Sequence, residues 1–316
     1  MNHRIFFRIG LLLAAVAAAA AALLLVLLAL YAGAVYIPPS GEINGRIVSG
    51  GEERTYVLHI PKNFDPSSPT PLVISLHGFA EWPAHQMEIS RWNDLADREG
   101  FLVVYPAGTG FPLHWRTRGD SSDPNLPMTD VRFISDLIDR LMVEYKIDPA
   151  RIYANGLSNG GGMSDVLACT LAERIAAIGG VSGAYLFPRG ECRPPRPVPV
   201  IAFHGTDDPI VPYGGGESAS FHEPFPPVAE WAAGWAARNG CTGTPEALAP
   251  EGEVTGIRHT GCRGGSEVIL YTIHGGGHAC PGGEPLPEWL VGRTTRDIDA
   301  TAVMWEFFRL HTLLSG

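Results

Sequence analysis

The chain has few basic residues for its length. Lysine and arginine together number 23 in 316 residues, against 33 aspartates and glutamates, and the formal net charge is −10. Phosphate backbones and anionic bilayer surfaces repel an acidic chain, so we do not expect nucleic acid as a partner. No cysteine pair has the C-x-x-C spacing of a zinc site, and no metal is predicted. No internal repeat, low-complexity tail or second domain is recognisable, so the sequence predicts one folded domain.

Charge is entirely absent from one N-terminal stretch. Residues 9–35 run for about 27 positions without a charged side chain, directly after Arg4 and Arg8. This length favours a signal anchor over residues 1–35, with a cytoplasmic N-terminus and the remainder extracytoplasmic. Residues 32–34 (AGA) resemble a signal peptidase site, so a cleaved signal peptide and a secreted protein remain the alternative. A linker over 36–45 and a catalytic domain over 46–316 would follow.

Cysteines are also few, and their number is odd. Five cysteines in an exported chain suggest disulfides with one thiol left over. Cys241 and Cys262 bracket a segment rich in glycine, threonine and proline, and they are the first expected pair. Cys169 with Cys192 is a second, weaker expectation. Cys280 would then be free.

Strand and helix patterns alternate through the rest of the chain. Arg46–Val48 and Thr55–Ile60 predict an antiparallel hairpin, whereas residues 71–76 (PLVISL) form a continuous apolar run, typical of a strand buried on both faces. Asp130–Lys146 has the periodicity of an amphipathic helix, with Asp130 placed to cap its start. Four further strands and two further helices follow: Arg151–Ala154, Ala176–Val181, Pro199–Phe203 and Glu267–Ile273, and Pro227–Arg238 and Thr295–Leu310. This alternation predicts an α/β domain with a mostly parallel sheet flanked by helices.

The pentapeptide Gly156–Gly160 (GLSNG) predicts a nucleophile. It follows the strand Arg151–Ala154 and opens a helix of small residues, the context of a tight strand–turn–helix elbow. Side chains two positions from the serine would clash in such a turn, which explains the two glycines. Ser158 would lie at the helix N-terminus, where amide groups favour a developing oxyanion.

The chain also supplies an acid and a base in the order that this elbow requires. Two aspartates, Asp207 and Asp208, follow the strand Pro199–Phe203, and His278 follows the strand Glu267–Ile273 behind three glycines. A serine hydroxyl needs a base to accept its proton, and the base needs an acid to fix its tautomer. The residues alone leave the choice between the two aspartates open.

Two backbone amides are needed to stabilise an oxyanion. The amide of Asn159 directly follows the serine, and the amide of Phe79 lies in the loop behind residues 71–76. Trp82 and Trp115, in loops after strands, are candidates for an aromatic substrate wall, although core packing is an equal alternative. Cys280, close to His278, is a third candidate for the substrate pocket.

Seven segments together resemble one family. PLVISLHG, VVYPAG, DVRFISDLID, RIYANGLSNGGGMS, RIAAIGGVSG, PVIAFHGTDDPIVPY and YTIHGGGHACPGG are similar to the polyhydroxybutyrate depolymerase and feruloyl esterase family of secreted α/β-hydrolases, over residues 45–315. The resemblance implies the α/β-hydrolase fold, hydrolysis of carboxylic esters, secretion and no cofactor. It implies Ser158 as nucleophile, His278 as base and Asp208 as acid, because Asp207 occupies a variable position of the family pattern. The family usually has tryptophan where this chain has Cys280, so the substrate pocket is expected to differ there.

The expected substrates are 3-hydroxybutyrate oligomers, polyhydroxybutyrate or feruloyl-type esters. Two other functions remain open. An acyltransferase would share the acyl-enzyme but prefer an alcohol to water. A membrane-anchored binding protein on a catalytically dead fold would lack an activated serine. The sequence does not indicate an oligomeric state.

Overall fold

The computed structural model describes residues 13, 15–30, 41–118, 123, 125–188, 190–218 and 224–313. The chain divides into two units, Met1–Pro39 and Ser40–Gly316. In the first unit, residues 15–30 are helical. Among the described residues, no helix combines the length and the apolar character that a membrane span requires. Much of the predicted anchor, at 1–12, 14 and 31–35, and residues 36–40 of the predicted linker lie outside the described residues, so the anchor stays a prediction.

The second unit is built on one mixed sheet. Its described strands are β1 (Ile43–Ser49), β2 (Glu52–His59), β3 (Thr70–Leu76), β4 (Leu102–Pro106), β5 (Ile147–Leu157), β6 (Ala177–Val181), β7 (Val200–Gly205), β8 (Glu246–Glu251), β9 (Val254–His259) and β10 (Val268–Ile273). Their spatial order is β1-β2-β4-β3-β5-β6-β7-β10-β9-β8. The six central strands from β4 to β10 are parallel, and an antiparallel hairpin closes each edge. The predicted mostly parallel sheet is confirmed.

Helices cover both faces of this sheet. They are α1 (Pro83–Ser90), α2 (Trp92–Glu99), α3 (Leu126–Glu144), α4 (Asn159–Thr170), α5 (Val228–Arg238), α6 (Glu288–Val291) and α7 (Ala300–Arg309). The interior side chains form two main clusters. One contains residues of α3, α4 and α5, and the other contains residues of α1, α2 and α7.

β3 shows why the central strands are largely apolar on both faces. Leu72, Ile74 and Leu76 belong to one cluster, whereas Val73 belongs to the other. Successive side chains of a strand point to opposite faces, and here each face meets a layer of helices. Apolar residues are therefore favoured at successive positions rather than at alternate ones, and the buried Ser75 is accommodated by hydrogen bonds with Asn155 and Gln86.

Several boundaries differ from the sequence prediction, and one hairpin was missed. β1 begins at Ile43, which pairs with Leu58, so the folded domain starts before residue 46. α3 begins at Leu126, and Asp130 is a buried residue of its second turn rather than its cap. The hairpin β8–β9 was not predicted, because β8 is almost wholly exposed and carries no apolar alternation.

Both expected disulfides are present in the structure. Cys241 pairs with Cys262, and Cys169 pairs with Cys192. The first closes the base of the β8–β9 hairpin, since its cysteines flank the two strands. The second joins the end of α4 to the segment before β7. Cys280 is free and buried.

Candidate active site

Ser158 occupies a tight turn between a strand and a helix. β5 ends at Leu157 and α4 begins at Asn159, so Ser158 alone connects the two elements. Its backbone has φ 54° and ψ −117°, a conformation that residues with a side chain rarely adopt. Strain of this kind persists at functional sites because the surrounding contacts enforce it.

Both glycines of the pentapeptide are required by close backbone approaches. A Cβ atom at Gly156 would lie 2.4 Å from the carbonyl carbon of Gly160. A Cβ atom at Gly160 would lie 2.1 Å from the carbonyl oxygen of Leu76. These neighbours are backbone atoms that cannot rotate away, so the glycine spacing follows from the geometry of the turn.

Ser158 is less accessible than an open elbow would suggest, with 8% of its surface exposed. Its amide donates to the carbonyl of Val181 at 2.9 Å, which continues the β5–β6 pairing. Its carbonyl accepts from the amides of Gly162 and Ala184, at 3.0 and 2.9 Å. The backbone after β6 therefore packs against the elbow and holds it in place.

His278 and Asp208 form a buried pair. His278 Nδ1 lies 2.8 Å from Asp208 Oδ2, and both side chains are almost fully enclosed. The other carboxylate oxygen, Oδ1, accepts the amides of Ile210 and Val211, each at 2.8 Å. Asp207 is exposed, and its Oδ1 accepts the hydroxyl of Thr206. Of the two aspartates, Asp208 is the one that contacts the histidine.

The pair lies at the same sheet edge as the serine. β5, β6, β7 and β10 are successive parallel neighbours, so their carboxyl ends meet at one edge. Ser158 follows β5, Asp208 follows β7 and His278 follows β10. The fold thus places three residues, up to 120 positions apart in the sequence, at one edge of the sheet.

The environment of Asp208 favours its ionised form. Burial alone would raise the pKa of this carboxyl, but the charge of His278 and the hydrogen bonds from His204 and His278 outweigh it. The pKa of Asp208 therefore lies well below its ordinary value. An ionised carboxylate can only accept, so the proton of neutral His278 resides on Nδ1 and Nε2 is left basic.

His204 supports this arrangement, and the sequence analysis did not assign it. Its Nε2 donates to the carbonyl of Val211 at 2.9 Å and lies 3.3 Å from Asp208 Oδ2. The ring is fully buried beneath the carboxylate. His204 lies at the end of β7, four residues before Asp208, so its contacts to Val211 and Asp208 hold the loop after β7 and the carboxylate together. The His-Gly-Thr-Asp-Asp segment places this histidine next to the two aspartates, but it does not reveal their contact.

The glycines before His278 let its loop pass close to β7. A Cβ atom at Gly205 would lie 2.1 Å from the carbonyl oxygen of Gly276, and one at Gly277 would lie 2.1 Å from that of Val291. The amide of His278 donates to the same Val291 carbonyl, at the end of α6. Residues 275–278 are thus held between β7 and α6, which orients the histidine.

The loop after β3 carries the second predicted oxyanion donor. The Gly78 amide donates to Glu81 Oε2 and the Ala80 amide donates to the carbonyl of Leu113, each at 2.8 Å. Glu81, which the sequence did not single out, therefore occupies the amide next to Phe79. Asn159, whose amide is the other predicted donor, is the first residue of α4. The assignment of the Phe79 and Asn159 amides to an oxyanion hole stays a prediction.

The three candidates for substrate contact occupy different environments. Trp82 is half-buried before α1, with its ring 5.2 Å from that of His85. Trp115 is only 1% exposed and does not form an accessible wall, because its indole and backbone make internal hydrogen bonds. Cys280 is buried in the cluster that contains residues of α1, α2 and α7. Burial raises the pKa of its thiol to about 12.

Histidine, cysteine and carboxylate side chains do not form a metal site in the described ranges. No group of three or more of them is arranged to hold an ion there.

Comparison with known proteins identifies the family. A family model described as Esterase PHB depolymerase matches residues 55–192. Feruloyl esterase C of Emericella nidulans is 30% identical over 263 residues, which cover 81% of this chain and 83% of that protein. The chain belongs to this esterase family.

Two further proteins are similar to this chain, one in sequence and one in fold. Feruloyl esterase B of Piromyces equi is 32% identical over 236 residues, which cover 72% of this chain but only 42% of that protein. An acetyl xylan esterase from Aspergillus awamori has the same α/β-hydrolase fold, with a TM-score of 0.57 at 17% identity, over 75% of this chain and 94% of that one.

In this member of the esterase family, His77 couples the loop after β3 to the loop after β4. Its Nδ1 donates to the carbonyl of Gly78 at 2.7 Å, and its Nε2 accepts the amide of Gly108 at 2.9 Å. Both bonds require the neutral ring with its proton on Nδ1. Burial lowers the pKa of His77 to about 4, from an ordinary value of 6.5.

This histidine should make the protein less stable in acid. Below about pH 6.5 the unfolded chain binds a proton at His77, whereas the folded protein does not until about pH 4, so the free energy of unfolding falls as pH drops through this range. The contribution is on the order of 3 kcal/mol. Urea unfolding at several values between about pH 7.5 and 4.5 should therefore show a steeper loss of stability for the wild type than for His77→Gln. Parallel pH curves for the two proteins would contradict this prediction.

Proposed function

We propose that this protein is an extracytoplasmic serine esterase that hydrolyses carboxylic esters through an acyl-enzyme. One observation carries the proposal: a buried His278–Asp208 pair lies at the sheet edge where a strained elbow presents Ser158. The names of the relatives, feruloyl esterases among them, agree with this chemistry.

In the first half-reaction Ser158 Oγ attacks the ester carbonyl carbon while His278 Nε2 accepts its proton. Asp208 holds the imidazole in the required tautomer and stabilises the imidazolium that forms. The amides of Asn159 and Phe79 donate to the oxyanion of the tetrahedral intermediate. As the bond between the carbonyl carbon and the alcohol oxygen breaks, His278 returns its proton to the leaving alcohol.

In the second half-reaction the same groups act on water. His278 Nε2 accepts a proton from a water molecule, whose oxygen attacks the acyl carbon. The tetrahedral intermediate then breaks its bond to Ser158 Oγ, and His278 reprotonates that oxygen. The carboxylic acid is released and the free enzyme is restored.

An extracytoplasmic location is supported by the two disulfides. Structural disulfides persist in oxidising compartments and are rare in the cytosol. The uncharged segment 9–35 supports the same location, as a membrane anchor or as a cleaved signal.

For the substrate, we propose an ester with an apolar or aromatic acyl group, such as a feruloyl ester or a 3-hydroxybutyrate oligomer. Aromatic side chains are exposed on the segments that follow the carboxyl ends of β3, β4 and β10, two in loops and one in α6. They are Phe79 at 42%, Phe111 at 66% and Trp289 at 85%. Trp289 lies two residues before Val291, whose carbonyl accepts the His278 amide. Exposed aromatic surface of this kind favours contact with apolar substrate groups.

A substrate panel tests both the serine-dependent ester hydrolysis and the proposed class of ester. The purified protein and Ser158→Ala would be assayed with short p-nitrophenyl esters, methyl ferulate, a soluble 3-hydroxybutyrate oligomer and insoluble polyhydroxybutyrate. We expect turnover that depends on the serine, with methyl ferulate or the soluble oligomer among the esters that the wild type hydrolyses.

Product analysis with an added alcohol distinguishes an esterase from an acyltransferase. Free acid as the main product supports an esterase, whereas a new ester as the main product indicates an acyltransferase. A folded protein that turns over none of the panel, and that no fluorophosphonate labels, would point to a binding role on a dead fold.

A further inference from the structure

The two predicted oxyanion donors lie on segments that the sheet alone does not fix. β3 and β5 pair as far as Leu76 with Gly156, and Phe79 and Asn159 both lie beyond the end of this ladder. Their amides must nevertheless point at one oxygen atom, because an oxyanion hole acts through donors held in advance. Other contacts have to set the spacing between the two segments.

Trp115 contacts both segments at once. The Asn159 side chain pairs with its backbone, because Asn159 Oδ1 accepts the Trp115 amide at 2.6 Å and Nδ2 donates to the Trp115 carbonyl at 3.1 Å. The indole Nε1 of Trp115 donates to the carbonyl of His77 at 3.0 Å. The ring also packs 5.2 Å from the His77 ring. One buried residue thus joins the start of α4 to the start of the loop after β3.

The loop that carries Trp115 is itself held at both ends. Arg54 Nη2 donates to the carbonyl of Ala107, and the Arg116 amide donates to Asp130 Oδ2, at 3.1 and 2.9 Å. Arg54 and Asp130 form an ion pair at 2.9 Å, with 3% and 0% of their side chains exposed. Residues 107–116 therefore rest on a buried charged pair that joins β2 to α3, and they are not free to shift as a surface loop would.

We propose that Trp115 is a positioning residue that, with the side chain of Asn159, sets the spacing of the oxyanion donors. This inference rests on the proposed esterase function. The Trp115 brace, defined as the indole contact to His77 and the amide pair with Asn159, does not touch the substrate. It acts on the Phe79 and Asn159 amides through the backbones that carry them.

The brace predicts a specific kinetic effect. Oxyanion contacts form mainly in the transition state, so their loss lowers kcat and leaves KM nearly unchanged. Trp115→Phe removes the indole donor but keeps an aromatic ring in place. We expect kcat for a good ester to fall about 10- to 100-fold, since a displacement near 1 Å can cost this much. KM should change by less than about threefold.

A thionoester of the same structure gives a readout that loss of stability would not move. The larger sulfur of its C=S group fits an oxyanion hole poorly, so a formed hole favours the oxoester. In Trp115→Phe the ratio of kcat/KM for the oxoester to that for the thionoester should fall by nearly the same factor as kcat.

Trp235→Phe is the matched control. Trp235 is a buried tryptophan of α5, and its Nε1 donates to Asp165 Oδ1 at 2.8 Å. Its replacement removes the same kind of bond, and it should lower the melting temperature while leaving kcat and the oxo-to-thiono ratio unchanged.

Asn159→Ala tests the brace from its other end and serves if Trp115→Phe does not fold. It removes both side-chain bonds but keeps the backbone amide, and it should reproduce the loss in kcat and in the ratio. The double variant should cost little more than the larger single effect, because both residues act through one unit.

Three results would overturn the proposal in different ways. An active wild type with Trp115→Phe and Asn159→Ala that retain its kcat and ratio would overturn the brace alone. A rise in KM at constant kcat would assign Trp115 to substrate contact instead. A wild type without serine-dependent turnover would overturn the proposed function, and the kinetic role of the brace with it.

Discussion

Ser158→Ala is expected to abolish ester hydrolysis, with a loss in kcat on the order of 10⁶-fold, as nucleophile removal costs in other serine hydrolases. The alanine lacks the oxygen that forms the acyl-enzyme, and water must then attack the ester without covalent catalysis. Steady-state assays on the preferred ester of the panel would measure this loss. A fluorophosphonate probe should label the wild type and not the variant.

The same substitution should leave the fold intact. Ser158 contributes its amide and carbonyl to the elbow, through bonds to Val181, Gly162 and Ala184 that alanine also makes. Alanine has the same positive-φ cost as serine, so the free energy of unfolding should change by less than about 1 kcal/mol. Circular dichroism and urea unfolding would check this.

Ser164→Ala is a matched control on the same helix. Ser164 is buried one turn further along α4, and its hydroxyl donates to the carbonyl of Gly160. This variant should keep its activity and its labelling. Activity of folded Ser158→Ala at a wild-type level would remove Ser158 from the mechanism.

Local patterns made the central fold and the elbow predictable. Continuous apolar runs such as residues 71–76 indicate strands buried on both faces, and the structure has helices on both sides of β3. The need for glycine at both positions of GLSNG is equally local. At each position a larger residue would clash with backbone atoms, either a few residues away or in the neighbouring strand. The α/β class therefore followed from the alternation of strand and helix patterns, whereas the α/β-hydrolase fold was implied by the family resemblance.

Long-range partners were not predictable in the same way. Asp130 resembled a helix cap, but it pairs with Arg54, which lies 76 positions earlier in the chain. For Trp115 a substrate wall and core packing were equal alternatives, and its indole bonds to His77, a partner 38 positions earlier that the pattern did not indicate. A side chain's sequence neighbours do not reveal a partner that only folding brings close, and buried polar groups depend on such partners.

The β8–β9 hairpin was missed for a different reason. β8 has no buried residue, so the alternation that marks an amphipathic strand is absent. Its strand character comes from pairing with β9, which in turn pairs with β10. The flanking Cys241 and Cys262 were the available signal, since a disulfide across a short segment favours a return of the chain.

The structure gives two neighbouring aspartates different environments, and Asp208→Asn should therefore cost far more activity than Asp207→Asn. In Asp208→Asn the new side-chain amide can donate to His278 Nδ1, which then has to accept and places its proton on Nε2. His278 would lose its basic nitrogen in this tautomer, and kcat should fall about 10⁴-fold, the cost of the same tautomer error in a serine protease. Asp207→Asn changes an exposed side chain bonded to Thr206, and kcat should stay within about twofold of the wild type.

Comparison of the two variants tests more than the identity of the acid. Asp208 Oδ1 accepts two backbone amides, and an asparagine oxygen can retain both bonds, so Asp208→Asn should remain folded. A large loss of kcat in a folded Asp208→Asn therefore reflects the state of His278 rather than collapse of the loop. Equal losses in the two variants would mean that the loop responds as a whole, and a larger loss in Asp207→Asn would transfer the role of the acid to Asp207. The buried contact between Asp208 and His278 favours the larger loss of kcat in Asp208→Asn. A carboxylate that is hidden from water keeps the imidazole in one tautomer without competition from solvent hydrogen bonds.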